Sequence, residues 1–381
     1  MSNVIKGKHN FLFLAGNKDA VIKQHTGKRL LNERQTNKWA KVIQERQRYF
    51  DQSNIKYYLQ IIPDKHPVYS QFLPDDCILA KTRNIDLFLE SVSPILLHRM
   101  NYPLDIIITG SAQHQVYFKW DSHWTDRGAY LAYLDLMKMI KHDYPELSIL
   151  KSPTFKPGKF QGDLARMAEI DIEEPTDFFN QTTSIDISFD NKVKNTGRII
   201  SFANPAAKNN LTIMVFGSSS SLFTLKFLNQ DFTKVIFYWS GNFDYSAIEH
   251  YKPDLIINQI RERHLIRPAD DLVGLNTTEM AFVKSFLDIG EAISPIPFNT
   301  KSILENCFAK VGNKSNQAYK KYLKTLAEKL KLENIYDYSI KIDRNRFSYR
   351  TIHFMVKTRT LANQIYAGTL ISRLNKIARS K

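Results

Sequence analysis

Short runs of Ile, Val, Leu, Phe and Tyr recur along the first two thirds of the chain and constrain its fold more than any other feature. The runs are nearly continuous rather than alternating, as in strands that are covered on both faces of a parallel sheet. They are YYLQII (57–62), LDIIIT (104–109), LTIMVF (211–216), KVIFYW (234–239) and DLIIN (254–258). Amphipathic helical patterns lie between them, over residues 30–50, 85–97 and 130–140. This alternation predicts an α/β fold in which helices cover both faces of a mainly parallel sheet, giving three layers.

The character of the sequence changes near residue 272, where strand-like runs give way to basic, amphipathic helical patterns. Residues 272–381 contain 19 Lys and Arg against 8 Asp and Glu, which accounts for +11 of the net charge of +15. We therefore predict a domain over residues 1–271 and a small, mostly helical basic module over residues 272–381. Its excess charge fits either an anionic partner or a solvated surface.

The cysteines and the N-terminal region give an expectation for the cellular compartment of the protein. Cys77 and Cys307 are the two cysteines, which are too few for a disulfide framework. The N-terminal region has an apolar run of only four residues, 11–14, whereas a secretory signal needs roughly seven to fifteen. No apolar run approaches the ~20 residues of a membrane span. We expect a cytoplasmic protein, at most peripheral to the inner membrane.

A run of four serines follows one predicted strand and precedes a predicted helix, in LTIMVFGSSSSLFTLKFL (211–228). A serine at such a turn lies at the carboxyl end of the sheet, where open α/β folds place their sites. Backbone N–H groups at the helix start can hold an oxyanion there. The alternative is that the serines only cap the helix and Gly217 eases the turn.

The second notable motif is WDSHWTDRGAY (120–130), in which Asp121 and His123 are two residues apart. Thr125 or Asp126 can cap the helix that follows. In an extended backbone the Asp121 and His123 side chains project to the same side. A carboxylate that orients an imidazole, which in turn deprotonates a serine, is the relay of hydrolases and acyltransferases. The alternative is a partly buried histidine packed beside aromatic rings.

Together the two motifs resemble the SGNH hydrolase-like domain of the alginate O-acetylation proteins AlgJ and AlgX. The resemblance covers residues 4–270 and rests on Asp121–Ser122–His123–Trp124 and Gly217–Ser218–Ser219. Supporting matches occur in the same order: VIKGKHNFLFL near the N-terminus, IIPDKHPVYSQFLP (61–74), FQGDLARM (160–167) and YKPDLIINQIRER (251–263). It implies an SGNH hydrolase-like fold, with Ser219 as nucleophile, His123 as base and Asp121 as the acid that orients it.

Further residues are weaker candidates. For an oxyanion hole we expect the N–H groups of Ser219 and Ser220, with Gly241 or the Asn242 amide as additional donors; the alternative for SGNF (240–243) is a plain turn.

For substrate binding we consider Lys65, Arg261 and Arg263, which follow predicted strands; structural ion pairs are the alternative. The histidines show neither HxH nor HExxH spacing, so we predict no metal site. The sequence also has neither a GxGxxG motif nor a P-loop, so we predict no tightly bound cofactor.

An acyl-serine can pass its acyl group to water or to a sugar hydroxyl, so the residues alone allow an esterase or an acetyltransferase. The resemblance favours a polysaccharide O-acetyltransferase of capsule or surface glycan biosynthesis, with acetyl-CoA as the expected donor. The expected partners are an acidic polysaccharide or other glycan acceptor and membrane-associated glycan assembly machinery. The remaining alternative is a non-catalytic protein that binds glycan or nucleic acid on this scaffold; of these two ligands we favour glycan.

Overall fold

The computed structural model describes residues 3–16, 19–96, 98–181 and 185–289, with the isolated positions 295, 303, 306, 307, 310 and 325. Its helices are α1 (Val21–His25), α2 (Glu33–Ser53), α3 (Lys65–Val68), α4 (Asn84–Leu96), α5 (Leu104–Ser111), α6 (Asp126–Asp143), α7 (Asp163–Met167), α8 (Ser221–Asp231), α9 (Tyr245–Tyr251) and α10 (Thr277–Ile289). Its strands are β1 (Val4–Lys6), β2 (Leu12–Leu14), β3 (Lys56–Ile62), β4 (Met100–Asn101), β5 (Phe155–Phe160), β6 (Glu174–Phe179), β7 (Asp186–Asp190), β8 (Ile199–Ala203), β9 (Asn209–Gly217), β10 (Phe232–Trp239) and β11 (Leu255–Arg261).

A seven-stranded sheet in the order β4-β3-β11-β9-β10-β8-β7 forms the centre of the fold. The strands from β4 to β10 in this order pair in parallel, and β7 runs antiparallel to β8 at one edge. The parallel strands β3, β9, β10 and β11 coincide with four of the five predicted apolar runs. The predicted α/β fold around a mostly parallel sheet is therefore confirmed.

Helices lie on both faces of this sheet, as strands that are apolar on both sides require. Tyr58 and Ile257 point into a cluster that includes Tyr133 of α6 and Leu228 of α8. On the opposite face, the Phe50 ring of α2 lies 5.2 Å from the ring of Tyr57. Neighbouring residues of one strand thus contribute to two separate layers of the core.

The run LDIIIT (104–109) was predicted as a strand, and this prediction is wrong: it forms helix α5. Of its side chains only Ile107 is buried, and Ile108 remains 41% exposed. A strand of the central sheet would bury residues on both of its faces. This segment buries only one side, and an amphipathic helix can bury one side while its other side stays exposed. The short strand β4 takes the neighbouring place in the sheet. Tertiary packing here overrides the β preference of isoleucine and threonine.

The chain divides into two compact units. The first comprises Met1–Asp190, Ile200–Gly241 and Tyr251–Ala269, and contains the central sheet. The second comprises Asn191–Ile199, Asn242–His250 and Asp270–Lys381. Most of the predicted basic module, residues 272–381, lies outside the described residues, so its helical character and the boundary at residue 271 stay predictions. Among the described residues, no helix combines the length and apolarity needed to span a bilayer.

A buried tyrosine–aspartate pair in the first unit gives a testable pH dependence. The Tyr133 hydroxyl donates a hydrogen bond to Asp231, and burial raises the pKa of Asp231 to about 6. Since this folded pKa lies above the unfolded value of about 4, the contribution of Asp231 to stability is present below pH 4 and lost as pH rises through 6. Asp231→Asn should therefore raise the free energy of unfolding at pH 7.5 by ~1–3 kcal/mol, measured by urea denaturation.

Asp143 provides the matched control, because it also accepts a hydrogen bond from a tyrosine, Tyr58, at 2.6 Å. Burial would raise the pKa of Asp143, but Tyr58 and the Arg99 guanidinium outweigh this and lower it. Asp143→Asn should lower the free energy of unfolding at neutral pH, with the difference vanishing as the carboxyl protonates in acid. Equal effects of the two substitutions across the pH range would contradict this account.

Candidate active site

A short loop presents Asp121 and His123 just before α6. Its two sides are joined by an antiparallel bridge between Tyr117 and Trp124. The Phe118 N–H also donates to the His123 carbonyl at 3.2 Å. The loop is thus a closed, hairpin-like element, and the two candidate side chains lie within it.

The structure brings the three predicted residues into one hydrogen-bonded line. His123 Nδ1 lies 2.6 Å from Asp121 Oδ1, and His123 Nε2 lies 2.7 Å from Ser219 Oγ. With a carboxylate on one side and a hydroxyl on the other, the network assigns the imidazole proton to Nδ1 and leaves Nε2 to accept from Ser219. The His123 side chain is 15% exposed, so a reactant can reach it. This is the geometry that a general base and its nucleophile require.

Asp121 is held as a carboxylate in this arrangement. Burial by itself would raise the pKa of Asp121. The hydrogen bond and charge of His123 outweigh burial, together with the backbone N–H groups of Asp163 and His123, and hold the pKa well below the usual range of an aspartate. The ionised carboxylate can therefore fix the tautomer of His123 and stabilise its protonated form.

The hydroxyl groups of the four serines at the end of β9 have different surroundings, and this distinguishes the candidate nucleophile. Ser219 is the one whose hydroxyl meets His123. The buried hydroxyls of Ser218 and Ser220 have no hydrogen-bond partner among the described residues. The Ser221 Oγ accepts from the Ser218 N–H at 3.1 Å. Geometry thus selects Ser219 independently of the sequence register.

The start of α8 also supplies candidate donors for an oxyanion. The carbonyls of Ser218, Ser219 and Ser220 accept from the first N–H groups of α8 at 2.9, 3.3 and 3.2 Å. In the described part of the chain, no hydrogen bond uses the N–H of Ser219 or Ser220. Both groups lie where the helix dipole favours negative charge, which suits an anionic intermediate on Ser219.

Trp124 connects the two motifs and explains why a tryptophan follows the histidine. Its side chain is fully buried, and its indole Nε1 donates to the Ser220 carbonyl at 3.0 Å. The loop that carries His123 is thereby fixed directly to the turn that carries Ser219. The sequence motif includes Trp124, but its hydrogen bond to the Ser220 carbonyl could not be predicted from the motif.

Asp163 is a site residue to which the sequence analysis gave no role, although its motif FQGDLARM was part of the resemblance. Its backbone N–H donates to Asp121 Oδ2 at 2.6 Å. Its carboxylate accepts from the Ser122 N–H and from the Ser122 hydroxyl, both at 2.7 Å. At the preceding Gly162, a Cβ would lie 2.0 Å from the Trp120 carbonyl oxygen, so only glycine allows this approach. Asp163 is therefore hydrogen-bonded to the loop that carries Asp121 and His123, both through its N–H and through its carboxylate.

Asp121, His123 and Asp163 are also residue types that bind metals, and their ligand atoms lie within 4.8 Å of one another. The 2.6 Å contact between Asp121 and His123 is a direct hydrogen bond, with no room for an ion between the two atoms. We therefore interpret Asp121, His123 and Ser219 as a hydrogen-bonded triad, with Asp163 as a supporting carboxylate.

Lys65 was predicted as a substrate-binding residue, and the structure gives it a different position. It is buried, and its ammonium donates to the carbonyls of Leu12, Lys119 and Asp121 at 2.6, 2.8 and 3.2 Å. Burial lowers the pKa of Lys65 to about 7. With its donors directed at the backbone, Lys65 supports the loop of Asp121 from inside the fold rather than meeting a substrate.

Arg261 and Arg263, predicted for the same role, are corrected in the same way. Arg261 is 1% exposed and donates to the Ser122 carbonyl at 2.6 Å. Arg263 donates to Asp64 at 2.8 Å, and both residues are buried. The position of both arginines at the end of β11 indicated the correct edge of the sheet. It did not indicate that their side chains are buried.

Of the additional oxyanion candidates, the Asn242 amide is engaged elsewhere, and the role of the Gly241 N–H stays a prediction. The Gly241 carbonyl accepts from Arg46 at 2.8 Å. Within the second unit, the Asn242 amide accepts from the Asp270 N–H at 3.0 Å and donates to the Leu275 carbonyl at 3.1 Å. These contacts are those of a structural turn, which was the alternative for SGNF.

Comparison with solved structures gives several distant likenesses. PatB1 of Bacillus cereus is 15% identical, with a TM-score of 0.48, over 70% of this chain and 98% of that one. The O-acetyltransferase domain of Pseudomonas putida AlgJ is 17% identical, with a TM-score of 0.47, over 71% of this chain and 94% of that one. AlgX of Pseudomonas aeruginosa is 14% identical, with a TM-score of 0.40, over 70% of this chain and 66% of that one. No curated protein matches the sequence.

The sequence also matches a protein family over most of its length. The family described as "SGNH hydrolase-like domain, acetyltransferase AlgX" matches residues 4–242, which is more than half of the chain. The matched range includes both motifs and all three members of the hydrogen-bonded line. The chain therefore belongs to the AlgX-type SGNH hydrolase-like acetyltransferase family.

Proposed function

We propose that the protein is a polysaccharide O-acetyltransferase that works through an acetyl-Ser219 intermediate. The observation that carries this proposal is the position of His123, which contacts Asp121 at 2.6 Å and Ser219 at 2.7 Å. A neutral serine is a poor nucleophile, and a base in contact with its hydroxyl is what activates it. Membership of an acetyltransferase family supports acetyl as the group transferred.

In the first half-reaction, Ser219 Oγ attacks the carbonyl carbon of the acetyl donor while His123 Nε2 takes the hydroxyl proton. The N–H groups of Ser219 and Ser220 stabilise the charge that develops on the carbonyl oxygen. The bond to the leaving group then breaks, and His123 returns its proton to that group. Asp121 stabilises the imidazolium throughout this half-reaction.

In the second half-reaction, a glycan hydroxyl replaces the departed group. His123 Nε2 takes the proton of this hydroxyl, whose oxygen attacks the acetyl carbon. The ester bond to Ser219 breaks, and His123 gives the proton back to Ser219 Oγ. Water in place of the glycan would make the protein an esterase, so the choice of product depends on which hydroxyl reaches the intermediate. The acetyl-CoA donor, the acidic acceptor and the cytoplasmic location stay predictions.

The test is to capture the intermediate and to follow its transfer. The protein is mixed with 4-nitrophenyl acetate, quenched in acid and digested, and the acetylated peptide is sequenced by mass spectrometry. We expect one acetyl group on Ser219 and an initial burst of nitrophenol. Adding an acidic polysaccharide should accelerate turnover and yield acetylated glycan. Acetyl on another residue would refute the mechanism, and release only as acetate at an unchanged rate would indicate an esterase.

A further inference from the structure

Two glutamines lie side by side in the interior of the sheet. Gln60 of β3 and Gln259 of β11 are register partners, and Asn101 of β4 is the register partner of Gln60. Gln60 is 0% and Gln259 is 2% exposed. A buried amide is costly unless its hydrogen bonds are made, so a pair of them in a parallel sheet calls for an explanation.

The amide hydrogen bonds form a continuous line across the sheet, from Asn101 through Gln60 and Gln259 to Thr224. Gln60 Nε2 donates to Asn101 Oδ1 at 2.8 Å and to the Ala132 carbonyl at 2.9 Å. Gln259 Nε2 donates to Gln60 Oε1 at 2.7 Å and to Thr224 Oγ1 at 3.1 Å. Both hydrogens of each amide nitrogen are thereby used. A flip of the Gln60 amide would place its nitrogen against Gln259 Nε2, and a flip of the Gln259 amide would place its oxygen against Gln60 Oε1.

The line of hydrogen bonds ends at the serine turn. Thr224 Oγ1 accepts from Gln259 and donates to the Ser221 carbonyl at 2.9 Å. Ser221 in turn accepts from the Ser218 N–H and donates its own N–H to the Ser218 carbonyl at 2.9 Å. The residues on both sides of Ser219 are therefore linked to the interior of the sheet.

Gly217 shows how closely these groups are packed. A Cβ added there would lie 2.0 Å from Ser221 Oγ and 3.5 Å from the Cβ of Gln259. The turn thus rests directly on Ser221 and on β11. Any shift of Ser221 has to be shared by the backbone that carries Ser219.

We propose that Gln60, Gln259 and Thr224 form an amide ladder that positions the nucleophile. None of the three touches the reacting atoms; they act through Ser221, which sets the turn and thereby the 2.7 Å contact between Ser219 Oγ and His123 Nε2. Misplacing a reacting group by about 1 Å can cost about 100-fold in rate. The inference rests on the proposed function, in which Ser219 is the nucleophile.

The test is Thr224→Val, which keeps the shape of the side chain and removes the hydroxyl. We expect the rate of Ser219 acetylation, measured as the pre-steady-state burst of nitrophenol from 4-nitrophenyl acetate, to fall about 10- to 100-fold. The rate at which a sulfonyl fluoride labels Ser219 should fall in parallel. Thr224→Ser restores the hydroxyl and should restore both rates. The double variant with Gln259→Leu should be little slower than Gln259→Leu alone, because both changes interrupt the same line of hydrogen bonds.

The matched control lies at the other end of α8. Asn204 is 2% exposed, and its amide donates to the Asn229 carbonyl at 2.8 Å. Asn204→Leu should lower the melting temperature yet leave the labelling rate of the folded protein unchanged. The inference is overturned if Thr224→Val labels at the wild-type rate, or if Asn204→Leu slows labelling equally. Absence of labelling at Ser219 in the wild-type protein would instead overturn the proposed function.

Discussion

Ser219→Ala and His123→Ala should each reduce acetyl transfer by about three to six orders of magnitude, and the double variant should be no slower than either single variant. The two side chains act in one proton transfer across a 2.7 Å contact, so removing either abolishes the same step. The measurement is kcat/KM for 4-nitrophenyl acetate, with thermal unfolding to establish that each variant is folded. Additive losses would mean that the two residues act in separate steps.

Ser218→Ala is the matched control for Ser219→Ala. It removes a hydroxyl from the same turn, one residue away, that is buried and has no partner among the described residues. Deleting an unsatisfied buried hydroxyl should leave activity near that of the wild type and stability unchanged or slightly higher. An inactive Ser218→Ala variant together with an active Ser219→Ala variant would move the nucleophile to Ser218.

The central strands were predictable from the sequence because burial on both faces leaves a direct trace in composition. The runs at 57–62 and 211–216 are apolar at nearly every position, and both are strands of the sheet. The run at 104–109 has the same composition but a different environment. Whether such a segment pairs with a strand or packs one face as a helix depends on its neighbours in space, which composition does not encode.

The site was predictable to the extent that chemistry requires particular residue types. An acid, an imidazole and a run of serines at element ends point to Asp121, His123 and the serine turn, and the family resemblance singles out Ser219 within that turn. The contacts that hold these side chains join residues far apart in the sequence and use backbone atoms. Every residue has such atoms, so the amino-acid types do not reveal these contacts. The bond from Asp163 N–H to Asp121 and the burial of Lys65 against three carbonyls are of this kind.

Asp121→Asn should cost about four orders of magnitude in rate while leaving the fold intact. Asp121 Oδ1 accepts from both the backbone N–H and the Nδ1–H of His123, and Oδ2 accepts from the Asp163 N–H. An amide has only one acceptor oxygen for these two sides. Either orientation places the NH₂ against one backbone N–H, that of Asp163 or that of His123. With the NH₂ toward His123, Nδ1 becomes the acceptor and the proton moves to Nε2, which then cannot accept from Ser219. The measurements are kcat/KM and the histidine tautomer by ¹⁵N NMR.

Asp163→Asn separates this orienting role from a general effect of charge beside His123. The Asp163 carboxylate lies 3.8 Å from His123 Nδ1, and its hydrogen bonds go to Ser122 instead. An asparagine can still accept from the Ser122 N–H and donate to the Ser122 hydroxyl, and its own backbone N–H still reaches Asp121. The loss should therefore be only about 10-fold, as for removal of a supporting contact outside the reacting groups. If Asp163→Asn proves as damaging as Asp121→Asn, and the tautomer of His123 changes in both variants, then Asp121 does not orient the base alone.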